Sequence, residues 1–467
     1  MIHVSDKIRE QLAPHCIGIL GFGLEGRSTL AFLRWLFPDR TLLVADRDEA
    51  EMSRLSGDES SGLVQVFSGA DCARGLAGCS LVFKTPGIPW KNIDPLFRPE
   101  QMTSQTDLFL SALGGRTIGI TGTKGKSTTT ALVCAALRAC GRDAVMVGNI
   151  GLPALDAVVA DTPDRLYVYE LSSHMLETVH HAPHAAIFLN LYEEHLDHYR
   201  SFEGYAAAKE NILRLQGPGD FAIIGDQVYS RVSGLGDGMR SRLDITTEGT
   251  LMLPPATKDG EPVAIPETAF SDRTLLGIHN LRYLQTALLM VRLCGAAETP
   301  GLLRDAIYAL NMFTGLPHRL QLVAAAEGIS FYDDSISTIP QACIAAVVSV
   351  ENVDTLIFGG LDRGIDYTPL SDFLACGPVP NLIALPATGH HMVDLLLETG
   401  NLPDSVRTFK AKDMVEAVDI AFQITRPGHA CLLSPAAASY GYYRNFEERG
   451  DHFSGLVQEW KSKNVLP

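Results

Sequence analysis

The octapeptide TGTKGKST at 121–128 constrains this chain more than any other segment. It follows an apolar run, RTIGI at 116–120, and opens a stretch rich in alanine and leucine that reaches residue 140. A strand, a glycine-bearing loop and a helix N-terminus in that order gather backbone N–H groups and the positive end of a helix dipole around one point, which suits phosphate oxygens. Gly122 and Gly125 permit a close backbone approach that a side chain would block. On this basis Gly122, Thr123, Lys124, Gly125, Lys126, Ser127 and Thr128 are expected to bind phosphates, Lys126 reaching the outer ones and Ser127 offering its hydroxyl to Mg²⁺. Ile120 stands where the generic G-x-x-x-x-G-K-[ST] pattern has its first glycine. A glycine-rich turn with a surface lysine is the alternative; the strand–loop–helix context speaks against it.

Short apolar runs alternate with helix-period segments along the rest of the chain, the pattern of α/β domains on largely parallel sheets. At 467 residues the chain exceeds what one core sustains. One segment starts at CIGIL (16–20), a second at RTIGI, a third after FTGLPHR (313–319). A net charge of -16 repels phosphate backbones and anionic headgroups, so neither a nucleic-acid nor a membrane partner is expected. Nine scattered cysteines without a C-x-x-C pair read as reduced thiols. No signal-like or spanning apolar run is seen, and a cytoplasmic protein is expected.

Gly21, Gly23 and Gly26 fit G-x-G-x-x-G after the first strand, and Asp46 lies 20 residues beyond Gly26 at the end of the next. This pattern fits a nucleotide diphosphate with Asp46 on its ribose, but glycines so placed also serve helix–sheet packing, and both readings stand. Glu170 ends the strand-like LYVYE, and NLYEEHLDHY begins at Asn190, where the strand-like AAIFLN ends; strand-end carboxylates face the crevice of an α/β sheet. Glu170 and His195 can therefore converge on Mg²⁺, whereas Glu193, Glu194 and His198 are expected on a solvated face.

These pieces, with TPGIP (85–89), GNIGLPAL (148–155), YAAAKENI (205–212), GIHN (277–280), GLPHRLQ (315–321), DDS (333–335) and SPAAASYGYYRNFEERGDHF (434–453), occur in the order in which they stand in the Mur ligase family, and the chain resembles that family over essentially its whole length. The resemblance implies an α/β fold of three domains: a Rossmann-like domain at 1–104 for a uridine-diphosphate substrate, a P-loop ATPase domain at 105–315 for ATP and two Mg²⁺ ions, and a Rossmann-like domain at 316–467 that closes over both and binds an amino acid. It implies an ATP-dependent ligase that adds glutamate to UDP-N-acetylmuramoyl-L-alanine through an acyl phosphate, acting as a monomer in peptidoglycan precursor synthesis. Residue by residue, Glu170, His195 and Ser127 match metal ligands, and Lys209 matches a lysine carbamylated by CO₂. Asn280 matches an adenine contact, and Arg319 and Asp334 match residues that close on ATP. Leu24, Asp46, Gly87 and Asn149 match contacts to the sugar nucleotide; Thr338, Arg363, Ser439 and Phe446 match contacts to the amino acid. His318, beside Arg319, is expected to accept the proton of the attacking amine, and Lys126, Lys209 and His195 complete the catalytic set.

One stretch departs from the pattern. Most members of the family that add D-glutamate carry Lys-Ala-Thr-Asn after the Asp-Ser pair, but here Ser335 is followed by Ile336. Loss of that cation removes ~2–5 kcal/mol of carboxylate recognition unless another group replaces it, and Arg363 is available. A re-cut pocket favours L-glutamate, with a separate epimerase inverting the centre later, over D-glutamate. Folylpolyglutamate synthetase shares the loop but lacks a GFGLEG-type domain. A nucleotide-binding module without chemistry would leave Glu170, His195 and Lys209 unexplained, and a dehydrogenase would leave the phosphate loop unexplained.

Overall fold

Strand β1 (Ile17–Leu20) is buried at every position, as expected of a central strand covered on both faces. It lies in an all-parallel sheet with β2 (Leu42–Asp46), β3 (Val64–Ser68), β4 (Leu81–Lys84) and β5 (Met102–Thr103), in the order β3-β2-β1-β4-β5. The structure is a computed structural model that describes residues 4–57, 63–93, 95–148, 154–194, 198–199, 201–257, 260–275, 277–362, 366–400, 402–439 and 442–464. Asn149, His195 and Arg363, three of the expected site residues, lie outside the described residues, as does the side chain of Leu24.

A second parallel sheet holds β6 (Thr117–Thr121), β7 (Ala144–Gly148), β8 (Leu166–Glu170), β9 (Ala185–Phe188), β10 (Phe221–Ile224) and β11 (Met239–Ser241), ordered β11-β10-β9-β6-β8-β7. The chain leaves β6 for the edge, returns as β8 on one side of it and continues as β9 on the other. That switch opens a crevice beyond the carboxyl end of β6, where the loop at 121–128 emerges. A small antiparallel pair, β12 (Leu251–Leu253) and β13 (Val263–Ile265), follows.

The chain divides into two compact units, Met1–Phe313 and Thr314–Pro467, and the first contains both of these sheets. They share a core because the helix Gln105–Leu113 buries seven of its nine side chains between them. Its Phe109 meets Tyr167 and Tyr169 edge-on, with centroids 5.1 and 5.3 Å away. Gln105 donates to Ser28 at 2.9 Å, and Ser28 donates to Asp156 at 2.6 Å, so polar contacts bridge the same seam.

In the second unit β14 (Gln321–Ala326), β15 (Ile329–Asp333), β16 (Val353–Gly360), β17 (Asn381–Ala387), β18 (Arg407–Lys410) and β19 (Ala430–Leu433) are ordered β14-β15-β19-β16-β17-β18. Only the β14–β15 pair in this sheet is antiparallel. All nine cysteines are free thiols, and no helix among the described residues is long and apolar enough to cross a membrane.

Candidate phosphate and substrate sites

The loop after β6 is held open by its glycines and clamped from β9. Gly125 has φ +83°, and a Cβ there would lie 2.3 Å from the ring of Tyr283, so this position requires glycine. Asn190 accepts the N–H groups of Thr123 (3.1 Å) and Lys124 (2.8 Å) on one oxygen and donates back to the Lys124 carbonyl at 3.0 Å. Those two amides are thereby engaged, and the helix Lys126–Ala139 presents its first-turn amides along its axis. Lys126 folds across the loop and donates to the Thr123 carbonyl at 3.0 Å, while Ser127 is buried in the first turn. Asn280 lies in the first turn of the helix Ile278–Leu293, one turn before Tyr283.

Lys209 comes from the helix Phe202–Arg214, whose N-cap Ser201 accepts from Gly204 N–H. It is 1% exposed and its Nζ donates to the Gly122 carbonyl at 2.8 Å. Burial drives its pKa well below the usual lysine value, the Lys126 ammonium pushes the same way, and Glu194 and Glu170 pull it back. Glu170, 1% exposed, ends β8 beside this group. The loop thus joins two lysines and two carboxylates in one electrostatic cluster. Glu194 belongs to it and hydrogen-bonds to Tyr205 from the exposed face expected of it. His198 departs from the solvated face expected of it: it is buried and its Nε2 lies 3.4 Å from Glu177. Among the described residues no three His, Cys, Asp or Glu side chains form a metal cage. Ser127 and Glu170 supply the hard oxygen donors that Mg²⁺ takes in small numbers.

At the first sheet the glycines divide between two duties. A Cβ on Gly21 would lie 2.0 Å from Thr85 Oγ1 and one on Gly26 2.1 Å from the Gly21 carbonyl, whereas Gly23 faces open space. Gly21 and Gly26 serve packing, and Gly23 leaves room for a ligand. Asp46 accepts the N–H groups of Phe22 (2.5 Å) and Asp48 (2.9 Å), one on each oxygen, so it holds the turn. Asp46 and Gly87 line one cavity of about 510 Å³ together with Arg47, Arg74 and Asn92.

In the C-terminal unit Asp334 is buried, accepts from Ser434 Oγ at 2.7 Å and has its pKa pushed up to about 6 by burial, with Arg319 acting against the rise. Ser439 lines a cavity of about 220 Å³ with Lys412, Tyr443, Arg449 and His452. Thr338 and Ile336 are half-buried in the loop after β15, and the Phe446 carbonyl accepts from Ser335 Oγ at 2.8 Å. His318 Nδ1 pairs with Asp333 at 2.7 Å, and its Nε2 lies 3.8 Å from Asp451. A Cβ on Gly450 would lie 2.1 Å from that ring.

The hydrogen bond to Asp333 raises the His318 pKa, so the pair stabilises the fold fully below the unfolded imidazole value of about 6.5 and less as pH rises through the raised folded value. Asp333→Asn is therefore expected to cost ~3 kcal/mol at about pH 5.5 and less at about pH 9, read as melting temperatures. An equal loss at both pH values would remove the ion pair as the cause.

Residues 120–235 match the family model described as Mur ligase middle domain. Over 97% of its length the chain is 32% identical to UDP-N-acetylmuramoylalanine--D-glutamate ligase of Symbiobacterium thermophilum, covering 98% of that protein. It is 33% identical over 95% of its length to UDP-N-acetylmuramoyl-L-alanine--L-glutamate ligase of Salinispora tropica, covering 97% of it. In fold it is similar to UDP-N-acetylmuramate-alanine ligase MurC of Thermotoga maritima, with a TM-score of 0.52 at 16% identity, covering 96% of this chain and all of that one. Three α/β domains, the outer two Rossmann-like and the middle one bearing the phosphate loop, are common to both. With full-length relatives above 30% identity and this loop in place, the chain belongs to the Mur ligase family of ATP-dependent ligases.

Proposed function

We propose that this protein forms the amide bond between glutamate and UDP-N-acetylmuramoyl-L-alanine at the expense of ATP, in the cytoplasm. The observation that carries the reading is the buried Lys209 amine on the Gly122 carbonyl, flanked by Lys126 and Glu170. An anionic carboxylate must attack the γ-phosphoryl group of an anionic nucleotide, forming a C–O–P link as the bond to ADP breaks, and cations fixed in advance lower that barrier most. Lys126 and the first amides of its helix supply fixed positive charge. The neutral amine of Lys209 is the form that attacks CO₂; the N–C bond forms, the nitrogen proton leaves to water, and a carboxylate-like carbamate results. Mg²⁺, when bound, would be held by Ser127, Glu170, His195 and carbamylated Lys209 and would supply charge against the phosphoryl oxygens. In the second step the amine of glutamate attacks the acyl phosphate carbonyl, phosphate departs, and His318 takes the proton.

We assign residues 1–104 to the sugar nucleotide, 105–315 to ATP and 316–467 to the amino acid. Leu24, Asp46, Gly87 and Asn149 serve the first, the loop 122–128 with Asn280, Arg319 and Asp334 the second, and Thr338, Arg363, Ser439 and Phe446 the third. D-glutamate is the better supported isomer, because that name recurs more often among the similar proteins than the L name. L-glutamate, the isomer favoured by the sequence alone, rests on Ile336 in the place of a lysine and on relatives named for it. Phosphate release with ATP, UDP-N-acetylmuramoyl-L-alanine and each isomer in turn is the test. Faster release with D-glutamate is expected. Release with L-glutamate alone transfers the assignment, and none with either isomer ends the proposal.

A further inference from the structure

We propose that Lys84 is a positioning residue that fixes the nucleotide-sugar cradle of the first sheet against the segment that follows Glu170 in the second. The inference rests on the glutamate-ligase reading and concerns a residue that none of the expected contacts includes. Lys84 ends β4, and only 1% of its side chain is exposed. Its Nζ donates to the Ile88 carbonyl at 2.8 Å and the Thr85 carbonyl at 3.4 Å, so it closes the TPGIP turn from beneath. Ile88 and Gly87 of that turn line the cavity that Asp46 also lines.

The same ammonium lies 3.2 Å from Glu177, which immediately follows the helix Ser173–Leu176 beyond β8. Glu177 in turn meets His198, which is in the loop after β9. Glu25, in the first turn of the helix that opens on the GFG turn, also acts on Lys84 electrostatically. One buried cation therefore ties the TPGIP turn of the cradle to the segment that follows Glu170 and, through Glu177, to His198 in the loop after β9. Stability alone does not account for it, because a buried ion pair is often replaced by well-packed apolar residues at no loss. What such a pair secures is a fixed geometry, and a misplacement of about 1 Å between reacting groups lowers rate ~100-fold.

The test uses the full-length protein with Lys84→Met, Lys84→Arg and Glu177→Gln. Calorimetric titration with UDP and steady-state phosphate release are both measured. Lys84→Met is expected to weaken UDP binding and raise KM for the muramyl nucleotide, each ~10-fold, with KM for ATP within two-fold of wild type. Lys84→Arg, which keeps the charge, is expected to recover at least half of the loss on a logarithmic scale. Where Lys84→Met does not fold, Glu177→Gln is read in the same way. An active wild type whose variants keep UDP affinity and nucleotide KM within two-fold overturns this inference alone, as does an equal rise in both KM values, the mark of a general structural defect. A wild type that neither binds UDP nor releases phosphate overturns the ligase reading with it.

Discussion

Lys126→Ala is expected to lower the turnover of ATP ~10³-fold while the protein stays folded. Lys126 is the first residue of its helix, behind a left-handed Gly125, so backbone geometry aims it back over the loop at the Thr123 carbonyl. It is only half-buried, so its removal should change stability by no more than ~0.5 kcal/mol. A preorganised donor to a developing phosphoryl charge contributes ~3–4 kcal/mol to the barrier, and that is the whole of the expected loss. A second consequence separates this variant from a simple binding defect. The Lys126 ammonium is one of the causes that depress the Lys209 pKa, so its removal lets that pKa rise. The acid limb of any residual activity should then move to higher pH. Lys126→Arg retains charge but spreads it over a planar fork, and should recover only part of the rate. A loss below ten-fold, or an unmoved acid limb, would detach Lys126 from the chemistry.

What the sequence makes legible is what the chain builds locally. The loop at 121–128, its strand and its helix are contiguous, so their order alone specifies a phosphate cradle. Groups that meet from far apart were not legible. Asn190, which clamps the loop, stands 66 residues from Lys124, and Lys209 stands 87 residues from the carbonyl it meets. His198 reads as part of a polar, solvated run because nothing in NLYEEHLDHY shows which side chain turns inward. Packing decides it: Glu177 receives His198, whereas Glu194 stays exposed as expected. The fingerprint glycines fit either packing or a ligand because both demand the same residue, and only the Thr85 side chain and the Gly21 carbonyl assign Gly21 and Gly26 to packing. The joint between the first two sheets is hidden for a similar reason. Ser104 caps the helix Gln105–Leu113, a local signal, but whether that helix packs as a joint between two sheets depends on Phe109 meeting Tyr167 and Tyr169. The antiparallel edge strand β14 alternates only weakly in burial, and its tight turn into β15 is marked in the sequence by Gly328 alone.

Lys209→Met is expected to abolish activity, by at least ~100-fold, without lowering the melting temperature. Most buried charged residues are destabilising to remove because a partner is left unpaired. Lys209 differs, since burial and Lys126 both disfavour its charged form. With its folded pKa depressed, the folded state binds fewer protons than the unfolded one, and Lys209 costs stability increasingly as pH falls from the ordinary lysine value of about 10.4 toward the depressed one. Methionine fills the same space without that cost, keeps an apolar contact with the Tyr205 ring and loses the hydrogen bond to Gly122, worth ~1 kcal/mol. A residue kept at a net cost is kept for its chemistry, and a buried amine whose charged form is disfavoured suits capture of CO₂. Three measurements follow from that assignment. Wild-type activity should fall in CO₂-depleted buffer and return with bicarbonate. It should also fall as pH drops through the depressed lysine pKa, because the protonated amine cannot hold the carbamate. Lys209→Ala, which leaves a cavity, should regain part of its rate with added acetate or formate, whose carboxylate can occupy the vacated place. A Lys209→Met protein that keeps its rate, or wild-type activity indifferent to CO₂, would return Lys209 to the role of a buried strut beneath Gly122.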